Sequence, residues 1–228
     1  MAADSAAPDD FLSQLADEDR EALLEQCGRR RFPAGGTLMY ERQVAEEVFV
    51  LLSGRVKVAH TTPEGREIIL NFCGPGEMIG EMAVIDEGTR SVTIEALEPV
   101  EALAISAGRF RAVLESHPRI AVAILSSISR RFVDSGRRQI EFAATHTLSR
   151  VASRILELSE RYGEPTEKGG VAIGLPISQS ELAGLVGSSR ESVAQALHTL
   201  RELGVIATER RRIVVRDLDG LRRQSTTS

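Results

Sequence analysis

Ile79-Gly-Glu-Met-Ala-Val-Ile-Asp-Glu-Gly-Thr-Arg-Ser-Val-Thr93 places Glu81 nine residues ahead of Arg90, inside an apolar, strand-rich region. A carboxylate accepts hydrogen bonds from hydroxyls, and a guanidinium clamps a phosphate through two parallel donors. A sugar-binding acid and a phosphate-binding arginine in one short segment point to a small nucleotide. Glu81 and Arg90, in the Gly80-Glu81 and Arg90-Ser91 pairs, are therefore the candidate ligand residues on this side of the site.

The flanking sequence has the pattern of many short strands. Val48–Leu52, Arg55–Ala59, Glu67–Leu70, Val92–Ala96 and Val100–Ile105 are apolar or alternating runs. Turn signals separate them at Pro33–Gly36, Ser53-Gly54, Pro63–Gly65 and Gly74–Gly76. Strands recurring at about 8–12 residues predict a β-sandwich or barrel of the jelly-roll type between Arg31 and Ser106. Ahead of it, Phe11, Leu12, Leu15, Leu23 and Leu24 predict a helix over 9–28.

After the strands a long helix is predicted from Pro118 to about Phe142. Leu125, Ile128, Phe132, Ser135, Gln139 and Phe142 follow one another at 3, 4, 3, 4 and 3 residues. That is the a/d spacing of a helix paired with a copy of itself, with packing against its own domain as the alternative. Arg130-Arg131 and Arg137-Arg138 make the opposite faces polar. A second amphipathic helix is predicted over 146–162, on Leu148, Val151, Ile155 and Leu158, with Gly163–Gly170 as a flexible connection.

The last third carries a different signal. Ser178-Gln179-Ser180-Glu181 is a capping box, and Ser188-Ser189-Arg190-Glu191 reads as a second one beyond Gly187. Two short helices joined by a glycine-containing turn predict a helix-turn-helix, whose second helix meets base edges in a major groove. Arg190, Glu191 and Gln195 lie away from the apolar stripe of Val193, Leu197, Leu200 and Leu203. Arginine suits guanine, glutamate suits cytosine and glutamine suits adenine. Ser189, Ser192 and Thr199 are candidates for phosphate contacts, and Gln179 is a further DNA candidate. A hairpin over Ile206–Val215 with Arg210, Arg211 and Arg212 at its tip supplies a basic wing.

Charge is consistent with this division. The 228 residues carry a net charge of −5, yet residues 1–144 hold 16 basic against 23 acidic side chains and residues 145–228 hold 12 against 10. Phosphate would be repelled by the first part, so any DNA contact belongs to the second. The 42% hydrophobic content fits a folded soluble chain, and no apolar run reaches membrane-spanning length. The acidic first ten residues lack the features of a signal peptide, so the expected location is cytoplasmic. Cys27 and Cys73 are too few for a zinc or iron–sulfur site, and the four histidines share no metal-ligand spacing. No nucleophile–base pair or metal set accompanies the cassette, so an enzyme is not expected and neither is a metal.

Taken in order, Phe49–Val58, Gly80–Ala83 with Arg90-Ser91, and Val186–Val193 resemble the cyclic-AMP receptor protein/Fnr family of bacterial regulators over nearly the whole chain. The resemblance implies an α+β protein. Residues 1–116 would form a cyclic-nucleotide-binding β-barrel (a double-stranded β-helix or jelly roll) and 117–143 a dimerisation helix. Residues 144–228 would form a winged helix-turn-helix.

It also implies an allosteric ligand, cyclic AMP, with cyclic GMP or another effector, or none, as the alternative, and no resident cofactor. Glu81 would accept the ribose 2′-hydroxyl. Arg90 would pair with the cyclic phosphate, helped by Ser91 and by main-chain N–H groups near Gly80 and Ala83, with Met82 a further ligand-site residue of the same segment. The positions that touch the adenine from the dimer helix are here Ser135 and Gly136, and only the first has a side chain that can hydrogen-bond. Gln195 stands where the best-known members have arginine, which implies a twofold-symmetric, TGTGA-related half-site altered at one step. The implied partners are double-stranded DNA, a second copy of the chain and RNA polymerase, with no membrane. Ligand would act by shifting the population between two packings of the long helix.

Overall fold

Continuous apolar runs in a strand mean that both of its faces are covered, and the central strand of the first half is such a case. In the computed structural model, which describes residues 10–226 except 64, 66, 168, 210 and 211, Val48, Phe49, Val50 and Leu51 are all buried. For 138 and 141–144 the backbone alone is described. The chain forms two compact units, one ending at Val133 and the other starting at Asp134.

The first unit opens with a single 3-10 turn at Leu12–Gln14 and helix α1 at Asp17–Glu25. The strands β1 (Gly28–Phe32), β2 (Thr37–Met39), β3 (Glu47–Ser53), β4 (Val56–Thr61), β5 (Glu67–Cys73) and β6 (Met78–Ile79) follow. Next come α2 (Glu81–Ile85), β7 (Thr93–Ala96), β8 (Val100–Ser106), α3 (Ala107–Ser116) and the long α4 (Pro118–Ala144). Two four-stranded antiparallel sheets, β1-β8-β3-β6 and β2-β7-β4-β5, make the jelly roll.

Strand alternation then divides β3 between two cores. Phe49 and Leu51 join Leu38, Val56, Ile94, Val100 and Ala102 between the sheets, where Phe49 meets Phe32 edge to face at 5.7 Å. Val48 and Val50 point the other way, into a layer made by Phe11, Leu23, Phe110, Ile120 and Ile124. Burying side chains of this size stabilises by about 1.5–3 kcal/mol each.

The helix predicted over 9–28 is corrected to two pieces. Leu15 and Ala16 are extended, because the Phe11 N–H bonds to the Gly76 carbonyl at 2.8 Å and Leu15 turns inward to be buried. The seam predicted along α4 also shifts. Ile120 and Ile124 are buried, and Ile128 packs against the same core. The exposed apolar stripe is Val122, Leu125, Phe132 and Val133, with Leu125 66% and Phe132 78% exposed. Ser135 and Gln139 are exposed, and the side chain of Phe142 lies outside the described residues.

The second unit contains α5 (Thr147–Tyr162), β9 (Gly163–Pro165), β10 (Val171–Ile173), α6 (Gln179–Val186), α7 (Arg190–Glu202), β11 (Ile206–Glu209), β12 (Arg212–Val215) and α8 (Leu218–Ser225). Its sheet runs β11-β12-β10-β9. Part of the connection predicted at 163–170 is thus strand: β9 pairs with β10, and the Thr166 N–H bonds to the Gly170 carbonyl at 3.1 Å. The chain continues past the wing into α8, which packs on α5 with Leu221 fully buried.

Candidate nucleotide and DNA sites

Gly80 takes a left-handed conformation, φ +83°, to lead β6 into α2. A Cβ there would stand 2.7 Å from Arg90 Nη1 and 2.8 Å from Met39 Cε, so only glycine fits without displacement. The arginine that fills this space is 5% exposed. Its Nη1 donates to the Gly80 carbonyl at 2.5 Å and its Nη2 to the Glu47 carbonyl. Its main chain is held in turn, since the Arg90 N–H bonds to the Gln43 carbonyl and the Arg42 N–H to the Arg90 carbonyl, both at 2.8 Å. Two carbonyls use only part of a five-donor guanidinium, which leaves donors for an anion.

Glu81 opens α2 and is 1% exposed. Its carboxylate is paired with the guanidinium of Arg131 on α4. Burial draws the Arg90 pKa down, against the opposing pull of Glu81 and Glu47. Burial acts on Arg131 in the same direction, but the hydrogen-bonded Glu81 carboxylate outweighs it and raises the Arg131 pKa. At the other end of α2, Arg111 of α3 donates to the Val84 carbonyl from Nε at 3.1 Å and Nη2 at 3.0 Å. Of the other predicted residues, Ala83 is buried, Met82 and Ser91 are exposed, and Ser135 and Gly136 fall in the second unit. Ser135 is exposed, and a Cβ at Gly136 would meet nothing within 4 Å.

Arg131 is the member of the candidate site that the sequence reading misses, having assigned it to a polar face. A usable signal exists: Ile120, Ile124, Ile128 and Arg131 lie at steps of 4, 4 and 3 residues, one ridge of a helix. Three apolar members that pack on the barrel side carry the fourth with them.

In the second unit the first capping box forms as predicted. Ser178 Oγ accepts the Glu181 N–H at 3.2 Å, and Glu181 accepts the Ser178 N–H at 2.7 Å. The second box is corrected by one position. Ser189, not Ser188, caps α7 and accepts the Ser192 N–H at 3.1 Å, so no glutamate closes the box. Gly187 is left-handed, and the Ser188 N–H is used by the Ala183 carbonyl at 3.1 Å, which pushes the cap on by one residue.

Val193, Ala196, Leu197 and Leu200 anchor α7, while Arg190, Glu191 and Gln195 are exposed and Ser192 half-buried. Glu191 is held below the usual carboxylate range by its own main-chain N–H, then by the Ser189 hydroxyl and the Arg190 charge. The Thr199 hydroxyl is bonded to the Gln195 carbonyl at 3.1 Å. Gln179 is exposed at the start of α6.

Opposite them, Glu209 pairs with Arg212 across the wing, and Arg201 Nη1 on α7 reaches Thr208 Oγ1 on β11 at 3.2 Å. Arg212 is exposed, and Arg210 and Arg211 lie outside the described residues. Arg190, Gln179 and Arg212 line one cleft of about 400 Å³ between α6, α7 and the wing.

Two family matches cover these two sites separately. The cyclic nucleotide-binding domain matches residues 29–117, and the Crp-like helix-turn-helix domain matches residues 149–224. A CRP-like cAMP-activated global transcriptional regulator of Mycobacterium tuberculosis is 30% identical over 205 residues, 90% of this chain and 91% of that protein. The chain belongs to the CRP/FNR family of transcription regulators.

Another member of the CRP/FNR family, the cyclic AMP receptor protein of Thermus thermophilus, is 31% identical over 84% of this chain and 85% of its own length. Among solved structures of the family, the c-di-GMP responsive regulator CLP of Xanthomonas campestris superposes with a TM-score of 0.78. It is 27% identical, over 88% of this chain and 99% of its own. CRP/FNR proteins are regulators and not enzymes, and this one has a cyclic-nucleotide-binding domain and a helix-turn-helix DNA-binding domain. Among its described residues no helix is long and apolar enough to cross a membrane.

Proposed function

We propose that this regulator is a homodimer whose affinity for a twofold-symmetric DNA site is set by cyclic AMP. The observation that carries the reading is the buried pair of Glu81 with Arg131. A ligand hydroxyl that arrives at Glu81 competes with, or adds to, a bond whose other end is on α4. Occupancy therefore has a direct chemical route to the long helix. Arg90, bonded to the carbonyl of Gly80 next to Glu81 in the chain, supplies the cation for the single charge of the cyclic phosphate. Ser91 and the N–H groups near Ala83 complete that side.

The dimer reading is supported by the exposed stripe of α4. Val122, Leu125, Phe132 and Val133 leave large apolar side chains in water, which a second copy of the helix would cover. Binding energy of about 1–3 kcal/mol between the two packings of α4 suffices for a useful response. RNA polymerase is the further partner that a regulator acting at promoters would meet.

A second effector is favoured at one point. Gly136 offers the base no side chain, and the CLP relative is c-di-GMP responsive, so a guanine-containing cyclic nucleotide is the second reading. Calorimetric titration of the full chain with cyclic AMP, cyclic GMP and c-di-GMP, each with and without a palindromic duplex, separates the two. Saturable heat with cyclic AMP that tightens in the presence of DNA supports the first. Heat from none of the three nucleotides overturns both.

A further inference from the structure

The segment that joins α4 to α5 is bonded to the turn of the helix-turn-helix. Arg150, in the first turn of α5, is where the two meet. Its Nη1 donates to the Thr145 carbonyl at 2.5 Å and its Nη2 to Thr147 Oγ1 at 3.3 Å. Its Nε donates to the Val186 carbonyl at 3.1 Å, at the end of α6. A second bridge runs beside it, between the Thr147 and Ser188 hydroxyls at 3.2 Å.

The physical basis is the unmet hydrogen bonding at a helix end. The last carbonyls of α6 have no partner within the helix, and Gly187 turns the chain away in a left-handed conformation. A guanidinium answers this well, because its rigid planar fork holds donors in fixed directions toward separate acceptors, whereas the three donors of a lysine ammonium diverge from a single nitrogen on a flexible stem. The result fixes residues 145–147 against residues 186–188. Ser189 and Arg190, which begin the recognition helix, follow at once. The direction in which α7 enters a major groove is therefore set partly by the backbone path between α4 and α5.

We propose that Arg150 is a positioning residue for DNA recognition: it ties the α4–α5 junction to the turn that aims α7. Arg150 directs its donors to the Thr145 and Val186 carbonyls and the Thr147 hydroxyl, and it is not one of the candidate DNA contacts. Its loss should leave the phosphate-contacting residues in place and spoil the alignment of Arg190, Glu191 and Gln195 with base edges. Positioning and plain stabilisation differ in what they do to specificity. Phosphate contacts give non-specific affinity and its salt dependence, whereas base contacts give discrimination.

The test uses the full chain, a palindromic duplex obtained by unbiased selection with the wild-type protein, and a scrambled duplex of equal length. Affinities for both are measured at several salt concentrations, with cyclic AMP present and absent, for Arg150→Met, Arg150→Lys and Thr147→Val. In whichever ligand state binds the selected duplex tighter, Arg150→Met should lower the ratio of specific to non-specific affinity by about tenfold or more. Non-specific affinity and salt slope should stay within about twofold of wild type. Arg150→Lys should lose nearly as much, and Thr147→Val less.

An unchanged ratio in folded variants overturns the assignment. So does a parallel fall in affinity for both duplexes. If Arg150→Met does not fold, Thr147→Val with Ser188→Ala removes the hydroxyl bridge and the Arg150–Thr147 bond, leaves the Arg150 bonds to the Thr145 and Val186 carbonyls, and is judged by the same ratio. The outcome does not depend on the nature of the effector, because the comparison is between two duplexes in one ligand state.

Discussion

The carboxylate of Glu81, almost completely buried at the start of α2, is held by the guanidinium of Arg131, which belongs to the long helix α4. Removing the arginine leaves a buried charge without its partner. Arg131→Leu should therefore destabilise the first unit by about 2 kcal/mol, below the full range for buried pairs because the Arg131 side chain is 32% exposed. Urea unfolding of the variant checks this. Replacing both partners, Glu81→Gln with Arg131→Leu, should recover most of the loss while nucleotide binding stays impaired.

Gly80→Ala tests the packing of the cassette. The new Cβ would sit within 2.7 Å of Arg90 Nη1 at a φ of +83°. Strain at such a position costs about 1–3 kcal/mol. The guanidinium must also move off the Gly80 carbonyl. Cyclic AMP affinity, followed by calorimetry, should fall at least tenfold, as a displaced charge-assisted bond of about 1.5–3 kcal/mol implies. Arg90→Leu should abolish binding altogether.

Phe132→Glu bears on self-association. Phe132 is 78% exposed, so a charge there leaves the fold of one chain intact. Sedimentation should shift from twice the mass of the chain toward the mass of one. Leu125→Glu should act in the same way, and Ile124→Glu should instead unfold the unit, since Ile124 faces the core.

Gln195→Arg should change the DNA sequence recovered by unbiased selection at a single step of each half-site. Arginine favours guanine where glutamine favours adenine, with about 1–3 kcal/mol of discrimination. An unchanged preference would show that Gln195 does not read a base.

Cys27 gives a pH signature. Burial pushes its thiol from the ordinary 9.0 up to about 11, and its sulfur donates to the Leu23 carbonyl at 3.2 Å. The folded state then holds its proton where the unfolded chain has lost it. The stabilisation is complete below about 9 and is lost as pH rises toward about 11. Cys27→Ala should flatten that alkaline decline, and the native thiol should resist alkylation at neutral pH.

Much of this was legible in the order of residues because the strands are amphipathic or doubly buried, and both patterns survive without knowledge of partners. Glu81 and Arg90 were legible through their chemistry alone, and the room that Gly80 makes for the Arg90 guanidinium is visible only in the packing. Arg131 was not, because Arg130 beside it looks identical in a string and only the packing of Ile120 and Ile124 tells them apart.

The β9–β10 pair was hidden because Gly163-Glu-Pro165 has no strand-forming residue, and its pairing depends on β12, about fifty residues on, through β10. Ser188 and Ser189 are chemically equal as caps. The choice between them is made by a main-chain bond to Ala183 that no composition reveals.

Strand β3 has a consequence for how the first unit comes apart. Phe49 and Leu51 belong to the space between the sheets, and Val48 and Val50 to the space beneath the helices. A wall shared by two rooms cannot be taken down for one of them. Loosening either compartment exposes residues that the other needs, so sheets and helices should melt in one cooperative step. Deleting a single residue from β3 would send the side chains on one side of the gap through to the wrong compartment.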